Sequence, residues 1–446
     1  MDDSIADCLV IGAGIAGLTA AHQLQKSGFR VVVTERSDYV GGRLRTVHLK
    51  EGAVEVGGAF ISDFYAATLD LLTQVELEKS LFTRPQTAFV LRNRQSMPSW
   101  PAGELVRSPL LTVGQKIRLL GLLVPLARHW RALDIAQLGL RAQALATPAD
   151  VLVGKWAGRA AGECFFGPLL QGLLYWRLPE TSAHVMLAIL KAFLRGKATY
   201  RLRNGMAELP ARLALEADVR VGWDVRGIER NKSGQYDVQA MDSTGASRAL
   251  HARSVVVATR AGAAMSLTES IAPWAVAFLQ SVEYSRSTTF TFRTAPGETC
   301  PLPGPLLFPS STLPGVSSIN PLVSDDGQPT RIFGISINAD YRRPAGAGLD
   351  ALAMNVLRVV CLSLGSPWWL TSAKPVHVQD WPEALPKFDS GYLARLHDFR
   401  TAMASADTPV AFAGDYLDAP YIDGAVRSAT KAADLVRSRL AGDADA

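Results

Sequence analysis

A group of glycines and one acidic residue near the start of the chain has the spacing of a dinucleotide-binding site. Gly12, Gly14 and Gly17 follow an apolar run, and helical character continues from there to a Ser-Gly pair at 27–28. Gly12 allows a sharp turn out of a strand, Gly14 lets a pyrophosphate approach the backbone, and Gly17 lets the helix pack on the strand. Glu35 comes eighteen residues after Gly17, where a second strand would bring its carboxylate to a ribose 2′-hydroxyl. The pattern therefore predicts a dinucleotide at the N-terminus of a helix.

Further glycine-containing segments could approach the same ligand. Gly41-Gly42-Arg43 begins six residues after Glu35, and Gly57-Gly58 follows shortly afterwards. A glycine pair lets the backbone pass close to a flat or charged ligand, although an ordinary bulge explains the second pair equally well. Near the other end of the chain, Gly414-Asp415 closes an apolar run and Gly424 opens the last helix. The partial positive charge of that helix would stabilise an anionic cofactor; a terminal strand and helix with no ligand is the alternative.

Periodicity and turn residues place these segments among alternating strands and helices. The predicted strands are 29–34, 219–221, 225–229, 236–240, 254–259, 288–292, 331–337 and 410–415, with a hairpin over 44–55. The predicted helices are 15–26, 65–77, 110–127, 151–160, 165–174, 182–195, 349–364 and a last helix that ends at Leu440. The β-branched run 254–259 suits a buried parallel strand. Between 81 and 199 we expect a helical insertion.

The most apolar stretch, 110–127, allows two interpretations. Lys116 and Arg118 lie inside it, and Arg128 and Arg131 follow it. These charges make it too interrupted to span a bilayer, which needs about 20 mostly apolar residues. A buried core helix is favoured because burial is the commoner cause of such patterns, and a helix lying on a membrane surface is the alternative.

The totals describe a globular chain in a reducing compartment. The chain has 446 residues, of which 48% are hydrophobic and 20% charged, enough for two or more domains. The four cysteines are far apart and the seven histidines are scattered, with no HExxH and no GxSxG motif. We therefore expect no disulfide framework and no metal site. The net charge of +5 carries little weight, and no basic segment marks a secretory signal.

Four separated segments together resemble the FAD-dependent amine oxidase superfamily, which includes flavin amine oxidases, protoporphyrinogen oxidases and phytoene desaturases. The opening glycines with Glu35 and Gly41-Gly42-Arg43 are similar to its FAD fingerprint, and 57–60 to the segment that passes the flavin. The stretch 205–210 with Val225 resembles a second FAD segment, and 412–428 resembles the C-terminal FAD motif. The cofactor-binding residues that this resemblance implies are Gly12, Gly14, Ile15, Ala16, Gly17, Glu35, Arg36, Gly41, Gly42, Arg43, Gly57, Gly58, Ala59, Phe60, Val225, Gly414, Asp415, Gly424, Ala425 and Val426.

The resemblance also implies a role for individual residues. Glu35 would hold the adenosine ribose, Arg43 the pyrophosphate, and the backbone of Val225 the adenine. Asp415 would hold the ribityl or phosphate side. The helix start at Gly424 would face the pyrimidine edge of the flavin, where a reduced anionic flavin gathers charge that a helix dipole offsets.

The branch of the superfamily is less well defined. The segments 165–182 and 381–391 are similar to protoporphyrinogen oxidases, and the strand 284–290 lacks the lysine that amine oxidases place beside the flavin. Tyr392 follows the position near which some members carry a flavin-linking cysteine, so FAD is expected to be noncovalent. Tyr421, in contrast, aligns with a tyrosine that amine oxidases use beside the flavin. The candidates for lining an aromatic substrate pocket, with ordinary aromatic core as the alternative, are Tyr421, Tyr392, Trp381, Tyr175 and Trp176.

The resemblance implies an α/β fold, α+β overall, with two domains. A discontinuous, Rossmann-like FAD-binding domain would comprise 1–80, 200–265 and 406–446, and a mixed α+β substrate domain 81–199 and 266–405.

The implied reaction is the dehydrogenation of a C–C or C–N bond in an apolar small molecule. Hydride would pass to flavin N5, and oxygen or a quinone would reoxidise the flavin. The protoporphyrinogen-oxidase and desaturase branch is favoured. A flavin amine oxidase, a redox-neutral isomerase and a non-catalytic lipid-binding protein are the alternatives, and the intact cofactor motif argues against the last.

The expected partners follow from this reading. The chain would act as a cytoplasmic monomer or homodimer without nucleic acid, and peripheral membrane association is left open.

Overall fold

The structure of the chain is a computed structural model that describes residues 5–84, 87–138, 145–324, 328–343, 346, 348–406 and 410–442. The strands are β1 (Ala6–Ile11), β2 (Val31–Glu35), β3 (Thr46–Leu49), β4 (Gly52–Glu55), β5 (Ile61–Ser62), β6 (Leu81–Arg84), β7 (Ala88–Arg92), β8 (Gln95–Trp100), β9 (Thr199–Leu202), β10 (Asp218–Val221), β11 (Asp224–Arg230), β12 (Tyr236–Met241), β13 (Ser247–Val257), β14 (Ser287–Arg293), β15 (Leu306–Leu307), β16 (Val316–Val323), β17 (Pro329–Asn338), β18 (Lys374–Trp381) and β19 (Val410–Phe412). The outer ends of the predicted segments 1–80 and 406–446 lie outside the described residues.

Helices alternate with these strands in the first part of the chain and cluster in its middle. They are α1 (Ile15–Lys26), α2 (Ala66–Gln74), α3 (Ala102–Arg107), α4 (Val113–Leu119), α5 (Leu123–Arg128), α6 (Ala149–Trp156), α7 (Arg159–Ala161), α8 (Gly167–Leu174), α9 (Ala183–Arg195), α10 (Glu208–Ala214), α11 (Ala261–Thr268), α12 (Val276–Gln280), α13 (Leu349–Ser363), α14 (Trp368–Thr371), α15 (Tyr392–Ser405) and α16 (Ile422–Gly442). A π-helical turn, Gly162–Phe166, precedes α8. The mixed α/β character expected from the sequence is confirmed.

Three separated stretches of chain supply strands to one parallel sheet. β1 pairs in parallel with β2 and β13, β10 extends the sheet beyond β2, and β19 pairs with the second half of β13. Both faces of this sheet are covered, which explains why its strands are apolar without alternation. Val10 and Val33 pack with α1 and α16 in one buried cluster, whereas Leu9 and Val257 belong to the cluster on the other face. β11 and β12 continue the sheet in antiparallel sense from the first half of β13.

A second seven-stranded sheet has the order β18-β14-β17-β16-β15-β7-β8. Apolar and polar side chains alternate along its strands, because one face of the sheet is packed and the other lines a cavity. On β14, Phe290 and Phe292 belong to a buried cluster with residues of α13, whereas Thr289 and Thr291 point to the cavity. The sheet therefore presents small polar side chains to whatever occupies the cavity.

The middle of the chain is helical only after an initial group of strands. The predicted helices over 151–160, 165–174 and 182–195 correspond to α6, α8 and α9. The expectation that the whole of 81–199 is a helical insertion is wrong at its start, since β6, β7 and β8 lie there. β7 and β8 form the edge of the second sheet, where pairing with β15 stabilises them more than local helical preference would.

Candidate functional site

One cavity of about 1270 Å³ extends from the glycine turn after β1 to the cavity face of the second sheet. Its first half is lined by the glycine-containing segments from both ends of the chain, and its second half by α8, α9 and the strands β14, β16, β17 and β18. The cavity thus joins the predicted cofactor motifs to the predicted substrate region.

The turn between β1 and α1 has the backbone that the glycine spacing predicts. Gly12 has a φ of +103°, a conformation that favours glycine. A Cβ on Gly17 would lie 1.8 Å from the carbonyl oxygen of Gly12, so only glycine allows α1 to pack this closely. No heavy atom lies within 4 Å of the corresponding point on Gly14, which leaves its backbone open to the cavity. This turn can accept a pyrophosphate at the N-terminus of α1.

Glu35 is held at the end of β2 by two backbone donors. The N–H of Ala13 donates to Oε2 and the N–H of Ser37 donates to Oε1, each at 2.9 Å. Glu35 lines the cavity beside the glycine turn. Its carboxylate is therefore positioned to accept a hydrogen bond from a ribose hydroxyl.

Three guanidinium groups gather in the same half of the cavity. Arg36, Arg43 and Arg260 all line it, and the pKa of Arg260 is lowered by burial and by repulsion from Arg36 and Arg43. Arg260 also forms an ion pair with Glu383. Such a concentration of positive charge suits a phosphate-bearing ligand.

The glycine pair at 57–58 packs against the chain that directly follows the pair at 41–42. Gly41 and Gly42 have positive φ values of +103° and +56°, and the N–H of Gly41 donates to the carbonyl oxygen of Ala13. A Cβ on Gly57 would lie 2.0 Å from the carbonyl oxygen of Arg43. Glycine is therefore required at position 57 by the backbone that carries Arg43.

The C-terminal segment completes this half of the cavity. Asp415, which is 4% exposed, accepts a hydrogen bond from Arg43 Nη2 at 2.8 Å. A Cβ on Gly424 would lie 2.1 Å from the carbonyl oxygen of Ala419, so glycine lets α16 begin against the preceding turn. The first turn of α16 is fixed by Asp423, which accepts hydrogen bonds from the N–H and hydroxyl of Thr68.

Most of the predicted cofactor residues line the cavity, and a few lie behind its wall. Those that line it are Gly12, Gly14, Ile15, Ala16, Glu35, Arg36, Gly41, Gly42, Arg43, Gly57, Gly58, Ala59, Phe60, Val225, Gly414, Asp415 and Ala425. Gly17, Gly424 and Val426 do not line it. Gly17 and Gly424 instead bring α1 and α16 into position, and Val426 is buried among apolar residues on α16.

The second half of the cavity has one apolar wall and one polar wall. The apolar wall is formed mainly by α8 and α9, with Leu170, Leu173, Ile189 and Phe193 among its residues. The polar wall is the cavity face of the second sheet, where the hydroxyls of Thr289 and Ser336 lie 2.9 Å apart. A molecule that is largely apolar with a small polar region matches these two walls.

Tyr421, Trp381 and Tyr175 line the cavity. The ring of Tyr421 stacks on that of Tyr65 with centroids 5.0 Å apart, and its hydroxyl has no hydrogen-bond partner among the described residues. Burial raises the pKa of the Tyr421 phenol, so this hydroxyl stays neutral. Trp381 is fixed by its indole N–H, which donates to the carbonyl oxygen of Val56 at 2.6 Å.

Two of the predicted pocket residues are in the protein core instead. Tyr392 and Trp176 are 0% and 1% exposed and do not line the cavity. Both rings stack on Phe388, and the hydroxyl of Tyr392 donates to the carbonyl oxygen of Tyr416. The prediction that they line the pocket is wrong, because aromatic residue type alone does not separate a cavity wall from a core.

Sequence reasoning missed the polar wall and Arg260. Thr289, Thr291 and Ser336 alternate with large apolar residues on their strands, which is the available signal for a half-exposed face. Arg260 follows β13 at the carboxyl edge of the parallel sheet, where ligands of such sheets bind. Among the described residues lining the cavity there is no lysine and no histidine. The described part of the chain also contains no cluster of three or more potential metal ligands.

An FAD molecule fits the polar groups that the cavity provides. The open backbone at Gly14, the three guanidinium groups and the carboxylate of Glu35 match a pyrophosphate and a ribose. None of Cys8, Cys164, Cys300 and Cys361 lines the cavity, which fits noncovalent attachment.

Comparison with known proteins defines the class. A family model described as flavin containing amine oxidoreductase matches residues 15–437. The chain therefore belongs to the flavin-containing amine oxidoreductases, a family of oxidoreductases whose cofactor is FAD.

Individual known proteins share the fold of the whole chain or a short stretch of its sequence. Cyclohexylamine oxidase from Brevibacterium oxydans has 19% identity and a TM-score of 0.74, covering 98% of this chain and 100% of its own. A protein of Exiguobacterium sp. 255-15 assigned as a protoporphyrinogen oxidase has 17% identity and a TM-score of 0.73, covering 98% and 99%. Lysine-specific histone demethylase 1 homolog 2 of Oryza sativa is 45% identical over 71 residues, which are 16% of this chain and 9% of that protein. The chain thus spans only a small part of this curated relative.

Proposed function

We propose that the chain is an FAD-dependent oxidoreductase that dehydrogenates a C–C or C–N bond of an apolar small molecule. The observation that carries this proposal is one cavity that joins polar groups suited to a pyrophosphate and a ribose to an apolar wall and an aromatic residue, Tyr421. FAD, when bound, supplies the acceptor for a hydride at flavin N5. Oxygen or a quinone is the proposed final electron acceptor.

The domain division predicted from the sequence belongs to this proposal. The parallel sheet, with strands from 6–35, 218–257 and 410–412, would be a discontinuous, Rossmann-like FAD-binding domain. The second sheet and the helices of the middle segment would form the substrate domain. The cavity that lies across both groups of elements supports this division.

In this proposal the chain's own residues bind the cofactor, orient it and exclude water from the substrate. Arg36, Arg43 and Arg260 would neutralise the pyrophosphate, and Glu35 would orient the adenosine ribose. The first turn of α16 would place its positive end towards the flavin. The walls of α8 and α9 would remove water from the substrate, which favours hydride transfer over side reactions.

Within the family, we favour the oxidation of a substrate without a required ammonium group, as in the protoporphyrinogen-oxidase and desaturase branch. The support is the apolar wall together with the lack of a lysine among the described lining residues. An amine oxidase is the second candidate, and the position of Tyr421 stacked on Tyr65 beside the cavity favours it.

An anaerobic reduction experiment separates these candidates. The purified holoprotein would be mixed without oxygen with panels of primary and secondary amines, porphyrinogens and polyenes, and flavin absorbance recorded. Bleaching by porphyrinogens or polyenes supports the favoured branch, and bleaching by amines supports the second. If a strong chemical reductant bleaches the flavin but no member of any panel does, the proposed reaction is wrong.

A further inference from the structure

The helical segment before the cavity wall exposes an apolar face. α4 and α5 are joined by a 3-10 turn, Leu120–Leu122, through residues that keep right-handed helical dihedrals. Val113, Ile117, Leu120 and Val124 are spaced by four, three and four residues and therefore form one stripe. Their exposed fractions are 72%, 63%, 60% and 51%, and Leu123 beside them is 55% exposed. We call these five residues the α4–α5 face.

The orientation of this face is fixed by the opposite side of the same segment. Leu122 and Leu126 are 4% and 5% exposed and belong to the buried cluster that also contains residues of α8 and α9. A Cβ on Gly121 would lie 2.5 Å from the carbonyl oxygen of Trp156, so the segment sits tightly on α6. Thr112 and Gln115 form a capping box at the start of α4. The apolar face is therefore held outward by packing, and the expectation of a fully buried core helix is wrong on this side.

The charged side chains within the segment that carries the face have one sign. Between residues 105 and 133 there are five arginine or lysine residues and no aspartate or glutamate: Arg107, Lys116, Arg118, Arg128 and Arg131. An apolar stripe with flanking cations is complementary to an anionic lipid surface, since the apolar residues enter the acyl boundary and the cations meet the headgroups. A second copy of the same surface would bring like charges together, which disfavours a symmetric dimer through this face.

The face continues towards the cavity. Trp130 is 40% exposed and is contacted by Lys191 on α9, whose Nζ lies 4.5 Å from the indole centroid and donates to the carbonyl oxygen of Trp130. Leu190, the preceding residue on α9, and Ile135 both line the cavity. Among the described residues no helix is long and apolar enough to cross a bilayer.

We propose that the α4–α5 face docks the protein on an anionic lipid surface and brings the apolar side of the cavity close to the lipid, from which an apolar substrate is taken. The docking stands on the exposed residues and charges alone, whereas the origin of the substrate rests on the proposed function.

Vesicle binding tests the docking with the holoprotein. Sedimentation would be measured with vesicles of phosphatidylglycerol and phosphatidylcholine in equal parts, and with phosphatidylcholine alone. We expect binding to the anionic vesicles that weakens by tenfold or more in the triple variant Ile117→Gln, Leu120→Gln, Val124→Gln. Binding to the anionic vesicles should also weaken in the double variant Arg128→Gln, Arg131→Gln, and it should weaken as the salt concentration rises.

A matched control uses another helix with exposed apolar residues. Leu349, Met354 and Leu362 of α13 are 44%, 49% and 59% exposed. The triple variant of these residues to glutamine should bind vesicles within twofold of the unchanged protein. Bound-flavin absorbance shows that each variant is folded.

Three results would overturn the docking. The unchanged protein could fail to bind the anionic vesicles, or the face variant could bind as well as the α13 variant. The face variant could also convert a dimer in solution into a monomer, which would make the face a subunit contact. None of these results depends on substrate oxidation, so they are distinct from a failure of the anaerobic reduction experiment. The origin of the substrate would be overturned if adding anionic vesicles to an apolar substrate that bleaches the flavin did not raise the rate of bleaching.

Discussion

Arg43 and Asp415 form an ion pair across 372 positions of sequence, with Nη2 and Oδ1 2.8 Å apart. Arg43 also donates to the carbonyl oxygen of Ala384, at 2.6 Å. Burial opposes the charge of Arg43, but the carboxylate of Asp415 outweighs it and raises the pKa of the guanidinium. The two ends of the chain are therefore fastened together at the cofactor half of the cavity.

Replacing Arg43 by methionine should both destabilise the protein and weaken FAD binding. Asp415 would be left as a buried, uncompensated carboxylate, and breaking such a pair costs roughly 3 kcal/mol of the free energy of unfolding. Urea unfolding and FAD titration of the apoprotein would measure the two effects. Arg107→Met is the control, since Arg107 is 83% exposed and its ion pair with Glu104 spans 3.6 Å. Equal unfolding free energies for the two variants would contradict this account of Asp415.

The two helical glycines Gly17 and Gly154 should respond oppositely to alanine. At Gly17 the new Cβ would meet the carbonyl oxygen of Gly12, so we expect a loss of about 1–3 kcal/mol in the free energy of unfolding and weaker FAD binding. At Gly154 no heavy atom lies within 4 Å, and alanine should add about 0.5–1 kcal/mol. Denaturant unfolding of both variants tests this, and a neutral Gly17→Ala would show that α1 is not packed as described.

Variants of Tyr421 and Tyr392 should distinguish a residue that lines the cavity from one that lies in the protein core. Tyr421→Leu should slow anaerobic flavin reduction by a reactive substrate about tenfold or more, because an aromatic wall of the cavity is removed. Tyr392→Phe should leave that rate within twofold and cost about 1 kcal/mol of stability, since the carbonyl of Tyr416 loses its donor. Stopped-flow reduction and thermal unfolding measure the pair. If Tyr392→Phe slowed flavin reduction more than Tyr421→Leu did, Tyr392 would instead belong to the substrate pocket.

Stability should decrease as pH falls below neutrality. Burial lowers the pKa of His22, His184 and His377 from the ordinary value of 6.5, so each folded histidine stays neutral where the unfolded chain takes up a proton. The unfolded state then binds more protons, and the stability that is complete above about pH 6.5 is lost progressively below it.

The variant His184→Gln tests this pH dependence. It should reduce the slope of the free energy of unfolding between pH 7.5 and 5.5, by at most about 1.4 kcal/mol per pH unit. His397→Gln, at an exposed position, is the control for replacing a histidine by glutamine. A slope that is the same in both variants would exclude His184 as a source of the pH dependence of stability.

The sequence defines the cofactor half of the site better than the substrate half. Local rules place α1 at 15–26, where the structure also has it, because the glycine turn, the periodicity and the Ser-Gly end all agree. The strands β15, β16 and β18 are harder to recognise in the sequence, because they are stabilised by pairing with strands that are distant in sequence. Proline residues or a short length also obscure the alternation of apolar and polar residues in them.

Burial is what the sequence does not resolve. Trp176 and Tyr175 are adjacent aromatic residues, yet one lies in the core and the other lines the cavity. Tyr175 has a left-handed backbone, with φ +58°, which turns the chain at the end of α8. The exposure of the outward side of α4 and α5 is equally hard to predict from the sequence, because an apolar stripe has the same period whether it faces a core or solvent.

Glu35 is the most specific probe of the ribose position. Glu35→Gln keeps one acceptor oxygen but removes the charge, and Glu35→Ala removes both. We expect FAD affinity to fall by about tenfold or more in the alanine variant, in line with the loss of a hydrogen bond to a charged group, and by less in the glutamine variant. Equilibrium titration of apoprotein with FAD gives the affinities. Glu78→Ala, at an exposed residue that does not line the cavity, is the control.

The amount of FAD released by heat from the purified protein tests the central claim most directly. A cavity whose polar groups match the pyrophosphate and ribose of one FAD predicts a yellow protein that releases one FAD per chain, and an apoprotein that takes up the same amount on reconstitution. A colourless protein that takes up no FAD on reconstitution would contradict the account.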